Sequence, residues 1–183
     1  MFYAFFAQGC EEIEAVTGVD ILRRAGIDVT TLGIGDKTIV GSHGIGIVCD
    51  SQADMREIEN NCESIEGIIL PGGMPGTLNL EKSPIVQSMI DYCVENKKLI
   101  CAICAAPSIL GRRGLLKNKK ITCYPNDDNE SFGAQLTQEC VAQDGNIITG
   151  KGPGASIEFA LKIVENVKGI KSAQKIRESL QCP

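Results

Sequence analysis

The sequence alternates short β-branched and aliphatic runs with segments of helical periodicity, and this alternation constrains the fold more than any other feature. Strands are predicted at residues 2–7, Gly67–Leu70 and Leu99–Ile103. A helix is predicted at residues 11–25, where apolar residues recur at helical spacing before a glycine. Strands that alternate with helices are typical of βαβ units, so we predict an α/β fold with a mainly parallel sheet. Because 183 residues is a usual size for one domain, we predict a single domain over residues 1–183.

Glycine-rich or otherwise unusual loops follow several of the predicted strands. Further strands are predicted at residues 27–31, 121–123, 140–142 and 146–149, with a side hairpin that ends near residue 48 and later helices from residues 84, 108, 157 and 173. The loops after Ala7, Leu70, Ile103, Cys123 and Thr149 each follow a strand that we predict to be parallel. They should therefore share one edge of the sheet, where open α/β folds bind ligands.

Cys104 lies where the predicted strand Leu99–Ile103 gives way to a helix. The positive end of a helix and its free amides favour a thiolate, so we predict a lowered pKa and a nucleophilic, easily oxidised sulfur. Gly72 and Gly73 could supply amides to an oxyanion formed at this cysteine, although a plain tight turn also explains two glycines.

Three glutamates lie at the start of the first predicted helix, where carboxylates stabilise the helix dipole. Ile13 belongs to the predicted apolar stripe of this helix, with Val16, so Glu14 can lean toward the strand ends while Glu11 and Glu12 face water. A carboxyl buried against a thiolate has a raised pKa and shares its proton with the sulfur. We therefore predict Glu14 as the acid or base partner of the reactive cysteine.

Other readings of these residues are possible. Cys101 and Cys104 form a C-x-x-C pattern that could indicate a redox pair or half of a zinc site. Residues three apart in a strand point in opposite directions, and the pattern occurs once, so we expect neither, and no metal site. His43 is the only histidine; a surface position explains it, although it could line the mouth of a pocket. The glycine loops do not match phosphate-binding spacings, so no cofactor is expected.

Charge and cysteine usage limit the partners and the compartment. The net charge of -5 argues against nucleic acid or an anionic membrane as the main partner. No run approaches the roughly 20 apolar residues of a membrane span, and residues 1–7 lack the charged flank of a signal peptide. The nine cysteines are odd in number and several lie in apolar segments, so we expect reduced thiols in a cytoplasmic protein.

Several segments resemble the ThiJ/PfpI superfamily, the family of the parkinsonism-associated protein deglycase. Residues 102–107, Ala-Ile-Cys-Ala-Ala-Pro, resemble its nucleophile elbow, and residues 9–14 resemble its first loop with a glutamate. Residues 70–73 resemble its oxyanion loop, and residues 152–160 its last loop and helix. The similarity runs in one register from about residue 2 to residue 169, which makes a chance match implausible.

The resemblance implies a flavodoxin-like three-layer sandwich with helices on both faces, usually a homodimer, with Cys104 as the reactive cysteine and Glu14 as its protonated partner. Peptidases of the family have histidine directly after the nucleophile. Ala105 stands there in this chain, so a cysteine peptidase is not expected. The deglycase-like branch often has histidine after the next strand, where this chain has Tyr124, a hydrogen-bond donor but a poor base at neutral pH.

The first functional hypothesis is cofactor-independent carbonyl chemistry on a small reactive aldehyde, such as methylglyoxal, or on a glycated adduct. Cys104 would attack the carbonyl and Glu14 would move the proton, with the amides near Gly73 and Ala105 holding the oxyanion. Tyr124 would orient the substrate, which the last loop, with Gly152 and Pro153, would help to bind. The second hypothesis is a redox sensor or chaperone that uses oxidation of Cys104 and needs no dedicated substrate.

Overall fold

The computed structural model describes residues 1–56, 58, 64–125 and 132–182. Its strands are β1 Phe2–Phe6, β2 Val29–Gly33, β3 Thr38–Val40, β4 Gly46–Val48, β5 Ser51–Gln52, β6 Gly67–Leu70, β7 Leu99–Ile103, β8 Lys120–Ile121, β9 Gln135–Leu136, β10 Val141–Asp144 and β11 Ile147–Gly150. Its helices are α1 Glu12–Arg24, α2 Gly76–Lys82, α3 Pro84–Glu95, α4 Pro107–Arg112, α5 Ser156–Lys168 and α6 Ile170–Ser179.

Seven strands form the central sheet, in the order β10-β11-β7-β6-β1-β2-β5. All neighbours are parallel except β10, which runs antiparallel to β11. The five long parallel strands, numbered along the chain, have the order 2-1-3-4-5 of flavodoxin-like folds, which confirms the predicted architecture. The order reverses between β1 and β6, so the loops after these two strands flank the crevice in which such folds bind ligands.

Helices cover both faces of the sheet. On one face, Phe2 and Phe6 of β1 join a core with α1, α5 and α6. On the other face, Tyr3 and Phe5 join a core with α2, α3 and α4. Each completely buried phenylalanine contributes about 1.5–3 kcal/mol by leaving water, so the all-apolar strand β1 anchors both layers.

The inward face of α1 differs from the predicted stripe. Ile13 and Val16 are 55% and 50% exposed, whereas Glu14, Ala15 and Leu22 are buried. The apolar periodicity was misleading because the glutamates of the first turn find hydrogen-bond partners in neighbouring loops and occupy inward positions that apolar side chains would otherwise take. This turn of α1 therefore brings carboxylates, rather than isoleucine, to the edge of the sheet.

Two smaller sheets flank the central one. The predicted side hairpin is confirmed as the antiparallel pair β3 and β4. The predicted strand at residues 121–123 is shorter than expected and lies outside the central sheet, since within the described residues β8 pairs only with β9. The loop after Cys123 still reaches the common edge, because the Tyr124 N–H donates to the Cys104 carbonyl at 2.9 Å. None of the helices in the described part of the chain is long and apolar enough to cross a membrane.

Candidate functional site

Cys104 forms a sharp elbow between β7 and α4, as the sequence predicted. Its φ of 64° lies in the left-handed region, which a residue other than glycine rarely adopts. Such a conformation costs on the order of 1–3 kcal/mol and persists only where the surroundings fix it. Here the Cys104 N–H donates to the Gly150 carbonyl at 2.9 Å, while the Cys104 carbonyl accepts from Tyr124. Neighbouring strand ends therefore hold the cysteine in a strained position, which is typical of functional residues.

Glu14 reaches this elbow from the first turn of α1. Its side chain is 1% exposed, and Oε2 accepts the Gly72 N–H at 2.7 Å. The carboxyl also lies close enough to the Cys104 thiol for each group to shift the pKa of the other. Its second oxygen, Oε1, is buried without a hydrogen-bond partner among the described residues. The expected inward lean of Glu14 is thus found, and one oxygen is available to a group bound at the sulfur.

The loop after β6 packs directly on this pair. The backbone amides of Gly73 and Ala105 lie close enough to the Cys104 sulfur to lower the pKa of the thiol. A side chain at Gly72 would lie 2.7 Å from Cys104 Cβ and 2.9 Å from both the Ala105 nitrogen and Glu14 Oε2, so only glycine fits there. The structure therefore brings Gly72, Gly73 and Ala105 together around the thiol and the carboxyl.

Burial dominates the ionisation of both groups. It raises the pKa of Glu14 to about 7, against hydrogen bonds from Gly72 and Cys104 that lower it. Burial, followed by the charge of Glu14, raises the pKa of Cys104 to about 12, while the amides of Ala105 and Gly73 lower it. While Glu14 is ionised, the pKa of Cys104 is therefore raised, and the predicted lowering is wrong. At a pH between these two pKa values the pair retains one proton. Cys104 is then a thiolate only when that proton lies on the Glu14 carboxyl.

The prediction that Glu11 and Glu12 face water is also wrong, since each is 6% exposed. Glu11 caps α1, with Oε2 accepting the Ile13 N–H at 3.0 Å. Glu12 accepts the His43 N–H at 2.7 Å and lies 2.9 Å from His43 Nδ1. The contact between Glu12 and His43 was not predictable from a local pattern, because it joins residues 31 positions apart.

His43 lies at the surface, as the simpler reading predicted, with a side chain that is 69% exposed. Glu11, Glu12 and His43 place potential ligand atoms within 4.8 Å of one another, the kind of cluster that could hold a metal ion. The Glu11 carboxylate already caps the helix, and both oxygens of Glu12 accept hydrogen bonds from residues 42–45. We therefore assign the cluster a structural role.

The remaining predicted residues form a neighbouring cavity of about 320 Å³. It is lined by Tyr124, Pro125, Cys140, Lys151, Gly152, Pro153, Gly154 and Ala155. Backbone hydrogen bonds connect Cys104 to Tyr124, which lines this cavity, and to Gly150, which directly precedes the lining residue Lys151. A larger cavity of about 570 Å³ lies between α5 and α6 and contains none of the predicted site residues.

Cys101 differs from the expected arrangement. It borders the same hydrophobic cluster as Cys104 instead of facing the opposite side of the sheet. The alternation of side chains along β7 ends at Ile103. The left-handed backbone of Cys104 then turns its side chain to the same face of the sheet as Cys101, whereas alternation alone would place it on the opposite face. Both thiols are free, and burial raises the pKa of Cys101 well above its ordinary value.

Comparisons with known proteins find similar sequences over nearly the whole chain. The DJ-1/PfpI family model matches residues 2–166. Protein dj-1beta of Drosophila melanogaster is 33% identical over 177 residues, which cover 95% of this chain and 92% of that protein. Glutathione-independent glyoxalase DJR-1.2 of Caenorhabditis elegans is 32% identical over 175 residues, covering 94% and 91%.

Solved structures of similar proteins have the same fold over nearly the whole chain. The crystal structure of Drosophila melanogaster DJ-1beta has a TM-score of 0.91 at 31% identity, over 100% of this chain and 97% of the other. Toxoplasma gondii DJ-1, in an oxidised form, has a TM-score of 0.90 at 33% identity, over 98% and 97%.

Proposed function

Because the chain belongs to the DJ-1/PfpI family, we propose that it performs cofactor-independent carbonyl chemistry in stress protection, with Cys104 as nucleophile and Glu14 as proton carrier. One observation carries the proposal: a buried carboxyl, whose pKa burial raises to about 7, lies beside a thiol on a strained elbow. A carboxyl with that pKa can take up and release a proton at neutral pH. The glyoxalase among the relatives supports an α-oxoaldehyde as substrate class.

The first step transfers the shared proton and forms a carbon–sulfur bond. With the proton on Glu14, the Cys104 thiolate adds to the aldehyde carbon of methylglyoxal, and the carbonyl π electrons move to oxygen. Glu14 returns its proton to that oxygen, while the amides of Gly73 and Ala105 stabilise the developing charge. The product is a hemithioacetal on Cys104.

The following steps use the same carboxylate. Glu14 removes the proton from the former aldehyde carbon, and the electron pair moves to the second carbonyl oxygen, which gives an enediolate. Glu14 returns this proton to the second carbon, and the hydroxyl on the first carbon loses its proton to the second oxygen. The resulting lactate thioester of Cys104 is hydrolysed by water to lactate and the free thiol. Methylglyoxal and water are thus converted to lactic acid without an external oxidant or reductant. A glycated adduct would enter at the same carbonyl carbon.

The neighbouring cavity supports the roles proposed for Tyr124, Gly152 and Pro153. A Cβ on Gly152 would lie 3.2 Å from the Tyr124 ring, so the absence of a side chain at Gly152 makes room for that ring. The Tyr124 hydroxyl would donate to the second carbonyl of the substrate, and the cavity would hold the rest of the molecule.

The test is methylglyoxal consumption and lactate formation by the purified protein. We expect turnover in the wild type and loss of turnover in Cys104→Ser, because a hydroxyl is a far weaker nucleophile than a thiolate. Cys182→Ser, which changes a half-buried free cysteine outside both the pair and the cavity, is the matched control and should keep the wild-type rate. Equal rates in Cys104→Ser and wild type would eliminate the mechanism.

A second candidate is redox sensing through Cys104, favoured by the buried oxygen Glu14 Oε1 that lacks a partner within the described residues. Two equivalents of peroxide would convert the thiol to a sulfinic acid and release two waters. The new oxygens could then bond to Glu14 and to the amides of Gly73 and Ala105. Mass spectrometry after mild peroxide should find two added oxygens on Cys104 before the other thiols. Scattered oxidation with Cys104 last would contradict this role.

We also propose that the chain forms a homodimer through the outward face of α1 and the neighbouring hairpin. Ile13, Val16 and Val48 are 55%, 50% and 70% exposed, and Val16 and Val48 border the same surface cavity. A second copy would cover these side chains. Sedimentation should give a dimer for the wild type and a smaller species for Val16→Asp, whereas Val94→Asp, on the exposed side of α3, should remain dimeric. A monomeric wild type would contradict the proposal.

A further inference from the structure

Glu12 is a buried carboxylate that the chemistry proposed at Cys104 does not use. Its Oε1 accepts the His43 N–H at 2.7 Å and the Ile45 N–H at 3.4 Å, and its Oε2 lies 2.9 Å from His43 Nδ1 and 3.4 Å from the Ser42 hydroxyl. Gly41 completes the cradle, because a side chain there would overlap the carboxylate. The turn between β3 and β4 thus surrounds one carboxylate from α1.

The hairpin also binds the backbone just before Glu12, in residues 8–12, here called the first loop. Gly9 donates to the Val40 carbonyl at 2.8 Å, and Ser42 donates to the Cys10 carbonyl at 2.8 Å. The Gln8 side chain accepts the Val40 N–H at 2.9 Å. Since β3 and β4 form a sheet of their own, these contacts and Glu12 connect the hairpin to the first loop.

The opposite side of the first loop packs on the glycine-rich loop of the site. Glu11 donates its N–H to the Gly72 carbonyl at 3.0 Å, and Gly76 donates to the Gly9 carbonyl at 3.0 Å. Gly73 is so close to the Glu11 nitrogen that a side chain would overlap it. The first loop is therefore a layer between the hairpin and the backbone that contacts Cys104, and it continues directly into the turn that carries Glu14.

We propose that Glu12 is a positioning residue: by binding in the hairpin turn it clamps the first loop and holds Glu14 and Gly72 in place against Cys104. This inference rests on the proposed roles of Cys104 and Glu14. If the clamp is released, the first turn of α1 gains freedom and water reaches Glu14. Among the glutamates of that turn, Glu11 is the one whose charge raises the pKa of Glu14, so neutralising Glu12 acts through position.

The test compares Gly41→Ala with Gly46→Ala in the same hairpin. Neither glycine has a left-handed backbone. A side chain at Gly41 would meet Glu12, whereas no atom of the described residues lies within 4 Å of one at Gly46. The readout is the pH dependence of Cys104 alkylation by iodoacetamide, followed by peptide mass spectrometry. In Gly41→Ala we expect the rate at neutral pH to fall on the order of tenfold, because small displacements of reacting groups have such effects. Its midpoint should move to lower pH, since solvated Glu14 loses its raised pKa, while Gly46→Ala follows the wild type.

Glu12→Gln is the second variant, in case Gly41→Ala does not fold as judged by circular dichroism. It keeps the size of the side chain and should shift the alkylation midpoint in the same direction. If Gly41→Ala and Glu12→Gln, or the one of them that folds, showed the wild-type pH dependence of Cys104 alkylation, the inference would be overturned. The hairpin could then move without disturbing Glu14. Methylglyoxal turnover by the wild type, measured separately, decides the proposed function independently of this result.

Discussion

Gly72→Ala is the substitution whose effect follows most directly from the geometry of the site. The added methyl group would lie 2.7 Å from Cys104 Cβ and 2.9 Å from the Ala105 nitrogen and Glu14 Oε2. Two of these neighbours belong to the strained elbow and the third to a buried carboxyl, so none can move without disturbing the pair. The methyl group should therefore separate Glu14 from Cys104 and displace the amides around the sulfur.

The expected loss of stability can be estimated from overpacking. Extra methyl groups in a tightly packed interior cost about 1–3 kcal/mol. For a chain of this size each kcal/mol lowers the melting temperature by about 2–4 °C, so Gly72→Ala should melt roughly 2–12 °C below the wild type. At 25 °C, where the variant is still folded, Cys104 alkylation at neutral pH should also fall by about tenfold or more.

Gly18→Ala is the matched control, since it also adds a methyl group at a buried glycine. That group would lie 3.9 Å from Ile69 Cγ2, an ordinary contact, and alanine favours the helix by up to about 1 kcal/mol. Calorimetry should therefore give an equal or higher melting temperature for Gly18→Ala, with unchanged alkylation. If Gly72→Ala matched this control in both assays, the close packing of Gly72, Cys104 and Glu14 would be refuted.

Two further predictions concern stability. Hydrogen bonding to Glu12, and then its charge, raises the pKa of His43, so this pair should stabilise the fold fully below about pH 6.5 and lose its effect as pH rises through the raised value. Melting curves across neutral pH should show a decline that is weaker in His43→Gln, and parallel declines would contradict the pairing. Ser83 caps α3 by accepting the Val86 N–H at 3.4 Å, so Ser83→Ala should cost about 1 kcal/mol in denaturant unfolding. Ser179→Ala, at the exposed end of α6, should cost much less, and equal losses would rule out the cap.

The parts of the fold that were predictable from sequence depend on local patterns. The strands Gly67–Leu70 and Leu99–Ile103 are short and apolar throughout, and Ser83 followed by Pro84 marks a helix start, so their predicted positions agree with the structure. The position of the strand at residues 121–123 outside the central sheet was not predictable, because its partner β9 has no clear sequence signal. This partner, Gln135–Leu136, is only two residues long and exposed.

The site was predictable in position but not in its electrostatics. Strand order and the elbow bring Cys104 and Glu14 together, and both features have sequence signals. The burial of Glu12 depends on His43 and Ile45, which the hairpin brings from more than 30 residues away, and no local pattern encodes that contact. The pKa of Cys104 was predicted in the wrong direction because the helix end and the amides are visible in sequence, whereas the depth of burial and the charge of Glu14 are not.

The central claim is that Cys104 and Glu14 share one proton, and the pH dependence of Cys104 alkylation in the wild type and in Glu14→Gln tests it most directly. In the wild type the rate should rise through an inflection near pH 7, where Glu14 titrates, and then level off. In Glu14→Gln that inflection should disappear, and the rate should rise only at higher pH, because the buried thiol must lose its proton to water. Superimposable profiles for the two proteins would contradict the claim.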